Sequence, residues 1–304
     1  MPKGARVLWA RCLAQAAALA VHQNTEEAWL QFAMLPKCAL RPHARGGRGS
    51  RSAAEALTKN LCQRWLEGER ASLCAETADR RGTAKPSRAA QRAQRCLELS
   101  ADAQYAKSCA ALTSELPVEV TAAVLEQMRQ KHTRSQRPVD PGSLPAISAA
   151  AAPQLDAASV EREVRAFPRG PAPGPSGSRP QRLKKALQTA AHRDEVLQEL
   201  LGLTNLLAKG HAPPREWRTY LAGASLVALP KKDGGLRPVA VGETARRLVA
   251  KCLCSQVSDA ARERLAPLQV GVALPTAARP RSTCRDSVSR ASLAAGRKCL
   301  SSWT

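Results

Sequence analysis

The sequence predicts an α+β fold that is mainly α-helical, and three observations carry that expectation. Apolar residues recur at helical spacing along much of the chain. One Asp-Gly-Gly turn, at 233–235, sits between two short apolar runs of strand character. Pro, Gly and Ser gather in connecting stretches that suit neither helix nor strand. A length of 304 residues allows roughly two domains. Aromatic residues are only 3% of the chain, and much of the 44% hydrophobic fraction is Ala. Large side chains dominate core energetics, so a thin core is expected: ordered islands joined by flexible linkers, with a disordered C-terminal tail.

Residues 1–131 are expected to form a helical, basic N-terminal region. Residues 1–40 read as helix, with an apolar cluster at Trp29, Leu30, Phe32, Met34 and Leu35 that Pro36 ends. The stretch 1–21 has the basic and apolar character of a weak targeting peptide, but Arg11 interrupts it and a plain Ala-rich helix fits better. A basic Gly-rich loop follows at 41–51, open to two readings: a solvated linker or a phosphate-backbone contact. Over 52–77, Leu57, Leu61, Trp65 and Leu66 return to helical spacing. A second basic stretch at 80–95 runs into Leu97 and Leu99. Two short helices are expected at 102–113 and 118–131, with Pro117 suited to the first turn of the second. Residues 132–155 are polar, then Pro-, Ala- and Ser-rich, and read as a flexible linker.

A third short helix is expected at 156–166, capped by Asp156. Residues 167–180 are dense in Pro and Gly and, taken alone, read as a connecting loop. Asp194 opens a strong helix whose broad face carries Leu197, Leu200, Leu201, Leu203, Leu206 and Leu207, and Gly210 closes it. Pro213 and Pro214 prevent its resumption. Two strands then flank the turn, at 224–229 and 236–241. Lys231 and Lys232 stand on one side of the tip and Arg237 on the other. Three cations around a small glycine bend suit a triphosphate, with Lys as point charge and Arg as bidentate fork. They equally suit a solvated tip whose charges keep a strand edge soluble. After the hairpin, Gly242-Glu243-Thr244 starts a helix with a buried stripe at Leu248, Cys252 and Leu253, while Arg246, Arg247 and Lys251 project elsewhere.

Other chemistries find little support in the residues. Ten Cys include no C-x-x-C pair, and Cys38 with His43 is at most half a zinc site, so free thiols in a reducing compartment are expected. The chain has no apolar run long enough to span a membrane. Its five His lack a nucleophile or carboxylate partner pattern, and no phosphate-binding or dinucleotide fingerprint is present. The net charge of +22 and pI near 10.4 make a polyanion the default partner.

The stretch from Leu226 through Pro230-Lys231-Lys232-Asp233-Gly234-Gly235-Leu236-Arg237-Pro238 to Glu243, followed by Arg246-Arg247-Leu248-Val249-Ala250-Lys251, resembles the fingers motif of retroelement reverse transcriptases. Upstream, Gly174-Pro175-Ser176-Gly177 with Leu183-Lys184 is similar to the family's Gly-Pro-Asp-Gly…Leu-Lys segment, with Ser176 where many members have Asp. Leu35-Pro36-Lys37-Cys38, Arg45-Gly46-Gly47, Trp65-Leu66-Glu67-Gly68-Glu69-Arg70 and Ala111-Leu112-Thr113-Ser114 look like parts of the leader that precedes such domains in some retroelements. The likeness runs loosely over 26–275 and specifically over 170–255. It implies an incomplete polymerase fingers subdomain over 156–274. It implies that Lys231 or Lys232 and Arg237 contact an incoming nucleotide's phosphates. It implies that Gly234 and Gly235 let the tip bend, and that Arg246, Arg247 and Lys251 contact the template.

The intact family makes DNA on an RNA template with Mg²⁺ and deoxynucleoside triphosphates, and palm carboxylates hold the two metal ions. This chain contains no Asp-Asp pair. After the hairpin only Asp259 and Asp286 remain, and no Phe or Tyr follows Tyr220. From about Pro275 the likeness stops, and 275–304 reads as an unstructured tail rich in Arg, Ser and Ala. A frame change or premature stop in a decayed element would produce that break; the nucleotide sequence beyond codon 275, read in all frames, tests it. The expectation is a fragment of the polymerase family that lacks the palm, is inactive alone and binds no Mg²⁺. The alternative is a basic, non-catalytic RNA- or DNA-binding protein. Expected partners are RNA or DNA, with a deoxynucleoside triphosphate possible and no membrane, in the nucleus or cytoplasm.

Overall fold

The computed structural model describes residues 1–41, 50–79, 87–101, 105–113, 118–131, 152–168, 170–211, 214–231 and 233–265. The described residues are mainly helical, with one two-stranded antiparallel sheet. The chain divides into two units, Met1–Cys252 and Leu253–Thr304. The expected linker at 132–155 lies mostly outside the described residues, and the tail at 275–304 wholly so.

A short 3-10 turn at Lys3–Ala5 leads into α1 (Arg6–Gln23), and α2 (Glu26–Ala39) follows. The single helical stretch expected over 1–40 is therefore broken. Asn24 adopts the left-handed conformation (φ 48°), the Thr25 hydroxyl accepts from the Ala28 N–H at 3.3 Å, and Glu26 and Glu27 favour the new N-terminus. Pro36 does not end α2, contrary to expectation. Its missing N–H forfeits one helical bond, but Leu35, Cys38 and Ala39 are buried and hold the last turn in place.

The helical spacing at 52–77 resolves into α3 (Ser50–Leu66) and α4 (Arg70–Asp79). Gly68 (φ 100°) makes the break: its N–H bonds the Trp65 carbonyl and the Glu69 N–H bonds the Arg64 carbonyl, a paired closure of the helix end. The helices α5 (Arg88–Ala101) and α6 (Tyr105–Thr113) pack together around buried Ser108, which meets Ser100 at 2.7 Å and donates to the Cys96 carbonyl. The next helix, α7, spans Ala122–Lys131 rather than starting at 118. Val118 donates its N–H to the Ala228 carbonyl, which holds it off the helix, and the Thr121 hydroxyl accepts from the Val124 N–H. Pro117 lies outside the described residues.

Asp156 caps α8 (Ala157–Ala166) as expected, accepting from the Ser159 N–H at 2.7 Å. Next come α9 (Pro180–Leu187), α10 (Arg193–Ala208) and α11 (Arg215–Ala222). Gly210 (φ 74°) closes α10 by the same paired bonds seen at Gly68. The strands β1 (Ala224–Pro230) and β2 (Leu236–Gly242) pair antiparallel, with Ala224 opposite Gly242 and Pro230 opposite Leu236. They are followed by α12 (Thr244–Gln256) and α13 (Ser258–Leu265).

The core of the first unit is organised around α1, which packs on α2, α3, α9 and α10. Its buried face is mostly Ala, including Ala10, Ala14, Ala17 and Ala20, so neighbouring backbones approach closely. Bulk comes from three wholly buried tryptophans, Trp9, Trp29 and Trp65. Trp29 sits with Ala20 and Leu203, flanked by Phe32, Leu207 and Trp217. A few aromatic side chains among many small ones thus fill the interior.

Candidate nucleotide and nucleic-acid contact site

The hairpin lies where the Asp-Gly turn puts it. The Lys231 N–H donates to the Gly235 carbonyl at 2.8 Å, closing a five-residue bend. Gly234 has φ 78°, where a Cβ meets no neighbour but strains the backbone. The Asp233 carboxylate accepts from the Gly235 N–H at 3.1 Å. That bond, with the nearby charges of Lys231 and Lys131, holds its pKa below the ordinary Asp value. Lys231 and Arg237 are both exposed. Lys231 directly follows β1 and Arg237 is the second residue of β2, paired with Leu229, so both cations stand at the outer end of the hairpin. Lys232 lies outside the described residues. Lys131, at the end of α7, joins the tip: its Nζ donates to the Leu236 carbonyl at 2.6 Å.

The base of the hairpin is pinned by a buried carboxylate. Glu243 is only 5% exposed, directly after β2. It accepts from both the N–H and the hydroxyl of Ser176, the latter at 2.7 Å. The Thr244 hydroxyl donates to the Ser178 carbonyl at 2.7 Å. Gly174 lies so close to this junction that a Cβ there would come within 2.7 Å of the Glu243 Cα. The Pro- and Gly-rich stretch at 170–180 is thus an ordered loop locked to the hairpin, and no plain connector. Its serine, in place of the Asp expected from the resemblance, supplies the proton that the Glu243 carboxylate accepts.

The next motif residues act locally. Leu183 is buried. The Lys184 ammonium donates to the carbonyls of Arg165 and Phe167, at the end of α8, where a helix dipole favours a cation. Arg182 is pushed down to about 10 by burial and by the nearby charge of Arg179, and it donates to the Gly177 carbonyl.

Each proposed template cation on α12 has a protein contact. The Arg246 guanidinium donates to the Ala222 carbonyl. Arg247 donates to the Ala172 carbonyl at 3.1 Å and lies 5.6 Å from the Phe167 ring centre. The Lys251 ammonium lies at the same distance from that ring and 3.1 Å from Glu163, a carboxylate only 8% exposed. Arg247 and Lys251 thereby fasten α12 to the end of α8.

Sequence reasoning missed Glu243 and Lys131. Nothing local marks either, since their partners lie 67 and 105 positions away. Glu243 also lines a cavity of about 40 Å³, together with Trp9, Trp29, Trp217 and Tyr220. It has room for a few water-sized molecules and not for a nucleotide. Among the described residues, no group of three His, Cys, Asp or Glu is placed to hold a metal ion, and no helix is long and apolar enough to cross a membrane. Comparison of the chain with models of protein families, with curated proteins and with solved structures finds no match.

Proposed function

We propose that the chain carries the fingers portion of a retroelement reverse-transcriptase-like protein, which holds nucleotide or nucleic-acid phosphates at its hairpin tip and does not polymerise by itself. One observation supports this most. The two segments that resemble the family, around 174–184 and 226–251, meet through the buried Ser176–Glu243 pair although those residues are 67 positions apart. The exposed Lys231 and Arg237 at the outer end of the same hairpin supply cations of the type that grip phosphates.

The Mg²⁺ ions of the intact family need paired aspartates beside an aromatic residue, and the 304 residues contain no such pair. The present residues do not fit that metal site, so no step of this proposal runs through it. What remains is phosphate binding by Lys and Arg. A primer-extension assay with an RNA template is expected to show no incorporation above background. Binding of a labelled deoxynucleoside triphosphate is expected in the wild-type chain. It should be lost when Lys231, Lys232 and Arg237 are all changed to Ala, with an unchanged melting curve. Incorporation by the purified chain, or equal nucleotide binding in the triple variant, contradicts the reading.

A second reading, a basic RNA- or DNA-binding protein without a nucleotide pocket, is favoured by the net charge of +22. It predicts binding to duplex or single strands that the triple variant weakens only slightly.

A further inference from the structure

We propose that Cys38 and Cys74 form an oxidisable dithiol, closed by peroxide into a disulfide that clasps α2 to α4. The two thiols come from different helices, 36 positions apart, and their sulfurs lie 3.8 Å from each other. Closure to a disulfide needs the sulfurs to approach by about 1.8 Å. Cys38 is wholly buried, and Cys74 is half-buried and so the sulfur nearer to solvent.

Polar groups of α4 and the end of α2 surround the pair, and the Cys38 sulfur lies 3.5 Å from the Leu73 carbonyl. The Thr77 hydroxyl lies 3.5 Å from the Cys38 sulfur and donates to the Leu73 carbonyl at 2.7 Å. The Arg41 guanidinium bonds the Leu73 carbonyl and the Thr77 hydroxyl, while Glu76 balances its charge at 2.8 Å. The Cys74 S–H, then Thr77 and Arg41, hold the Cys38 thiol down at about 7, against the opposing effects of burial and Glu76. The first proton of the pair therefore leaves near neutral pH. Burial and the shared contact hold the Cys74 proton on more tightly, so the thiolate rests on Cys38 and the half-buried Cys74 reacts through the minor form in which that proton has passed to Cys38.

In the first step the Cys74 thiolate attacks one oxygen of hydrogen peroxide. The O–O bond breaks, hydroxide leaves, and Cys74 becomes a sulfenic acid. In the second, the Cys38 thiolate attacks the Cys74 sulfur, the S–O bond breaks, and hydroxide leaves as the S–S bond forms. Two thiols and one peroxide thus give one disulfide and two waters. The thiols are oxidised and the peroxide is reduced.

The two cysteines fall in separate tryptic peptides, 38–45 and 71–80, each with one Cys. The reduced, folded full-length chain is treated with hydrogen peroxide, blocked with iodoacetamide, digested without reductant and analysed by mass spectrometry. The expected result is a cross-linked 38–45/71–80 species that dithiothreitol dissolves. With Cys38→Ser, dimedone should label Cys74. Peptides 38–45 and 71–80 that stay separate while the exposed Cys109 is oxidised would overturn the proposal. So would cross-links to Cys62 or Cys96 in comparable yield. A dimedone adduct on Cys38 in Cys74→Ser, with none on Cys74 in Cys38→Ser, would overturn the order of attack.

Discussion

At position 176 a serine hydroxyl donates to a carboxylate almost wholly removed from water, and the backbone N–H of the same residue donates to it as well. Hydrogen bonds to a buried charge are among the strongest a side chain makes. Ser176→Ala is expected to cost about 1–3 kcal/mol, measured by urea unfolding at pH 7. Ser176→Asp should cost more, about 3 kcal/mol or above, because two carboxylates would share one dry site. Equal stability of Ser176→Asp and wild type at pH 7 would show that Glu243 is not the anchor described. None of this could be read locally. The resemblance marked Ser176 only as a departure from Asp, and its reason lies 67 residues on. Lys184 and Lys131 tell the same story: a lysine in a sequence looks like a solvated charge until the carbonyl it caps is in place.

Among the elements, the hairpin was legible because its turn chemistry is local: Asp-Gly sets the bend, and the apolar runs set the strands. The α8 cap at Asp156 and the α10 closure at Gly210 were legible for the same reason. The run of α2 through Pro36 was not, because burial of Leu35, Cys38 and Ala39 overrides a local rule. Two glycines separate local strain from crowding. Gly234→Ala places a side chain at φ 78° with open space around it, and should cost about 1–2 kcal/mol. Gly174→Ala drives a Cβ against the Glu243 backbone and should cost about 1–3 kcal/mol while also shifting the hairpin's base. Chemical shifts of β2 amides should move with Gly174→Ala and stay put with Gly234→Ala, apart from the tip.

The helix pair α3 and α4 has its own acid sensitivity. Arg64 and Arg41 hold Glu76 down to about 2, against an ordinary 4.5. A carboxylate lowered on folding stabilises above its unfolded pKa, and that contribution is lost as pH falls from about 4.5 towards 2. The side chain is 37% exposed, so solvent screening keeps the effect small. In an acid titration followed by circular dichroism, Glu76→Gln should lower stability at pH 7 and flatten its decline below pH 4.5. A decline as steep as wild type would exclude Glu76 as a source.

Across the whole molecule, the N-terminal helices and the hairpin-bearing segment share packing within Met1–Cys252. The helix α1 lies on α9 and α10, and the Trp9 indole N–H donates to the Arg182 carbonyl at 3.1 Å. The sequence reading separated these regions at a linker because nothing in the Ala-rich α1 names its neighbours. The net charge of +22 was legible at once, and the nucleic-acid binding proposed from it should depend on salt. The logarithm of the binding constant should fall linearly with the logarithm of salt concentration, steeply enough to report several neutralised phosphates. A flat dependence would exclude phosphate contacts as the source of binding.

The outer end of the β1–β2 hairpin is the part proposed to grip nucleotide phosphates. Equilibrium binding of a deoxynucleoside triphosphate to the wild-type chain and to a Lys231→Ala/Arg237→Ala double variant addresses it most directly. Loss of two charge-assisted contacts should weaken binding by about tenfold or more, with the melting temperature unchanged. Identical affinities in two equally folded proteins would contradict it.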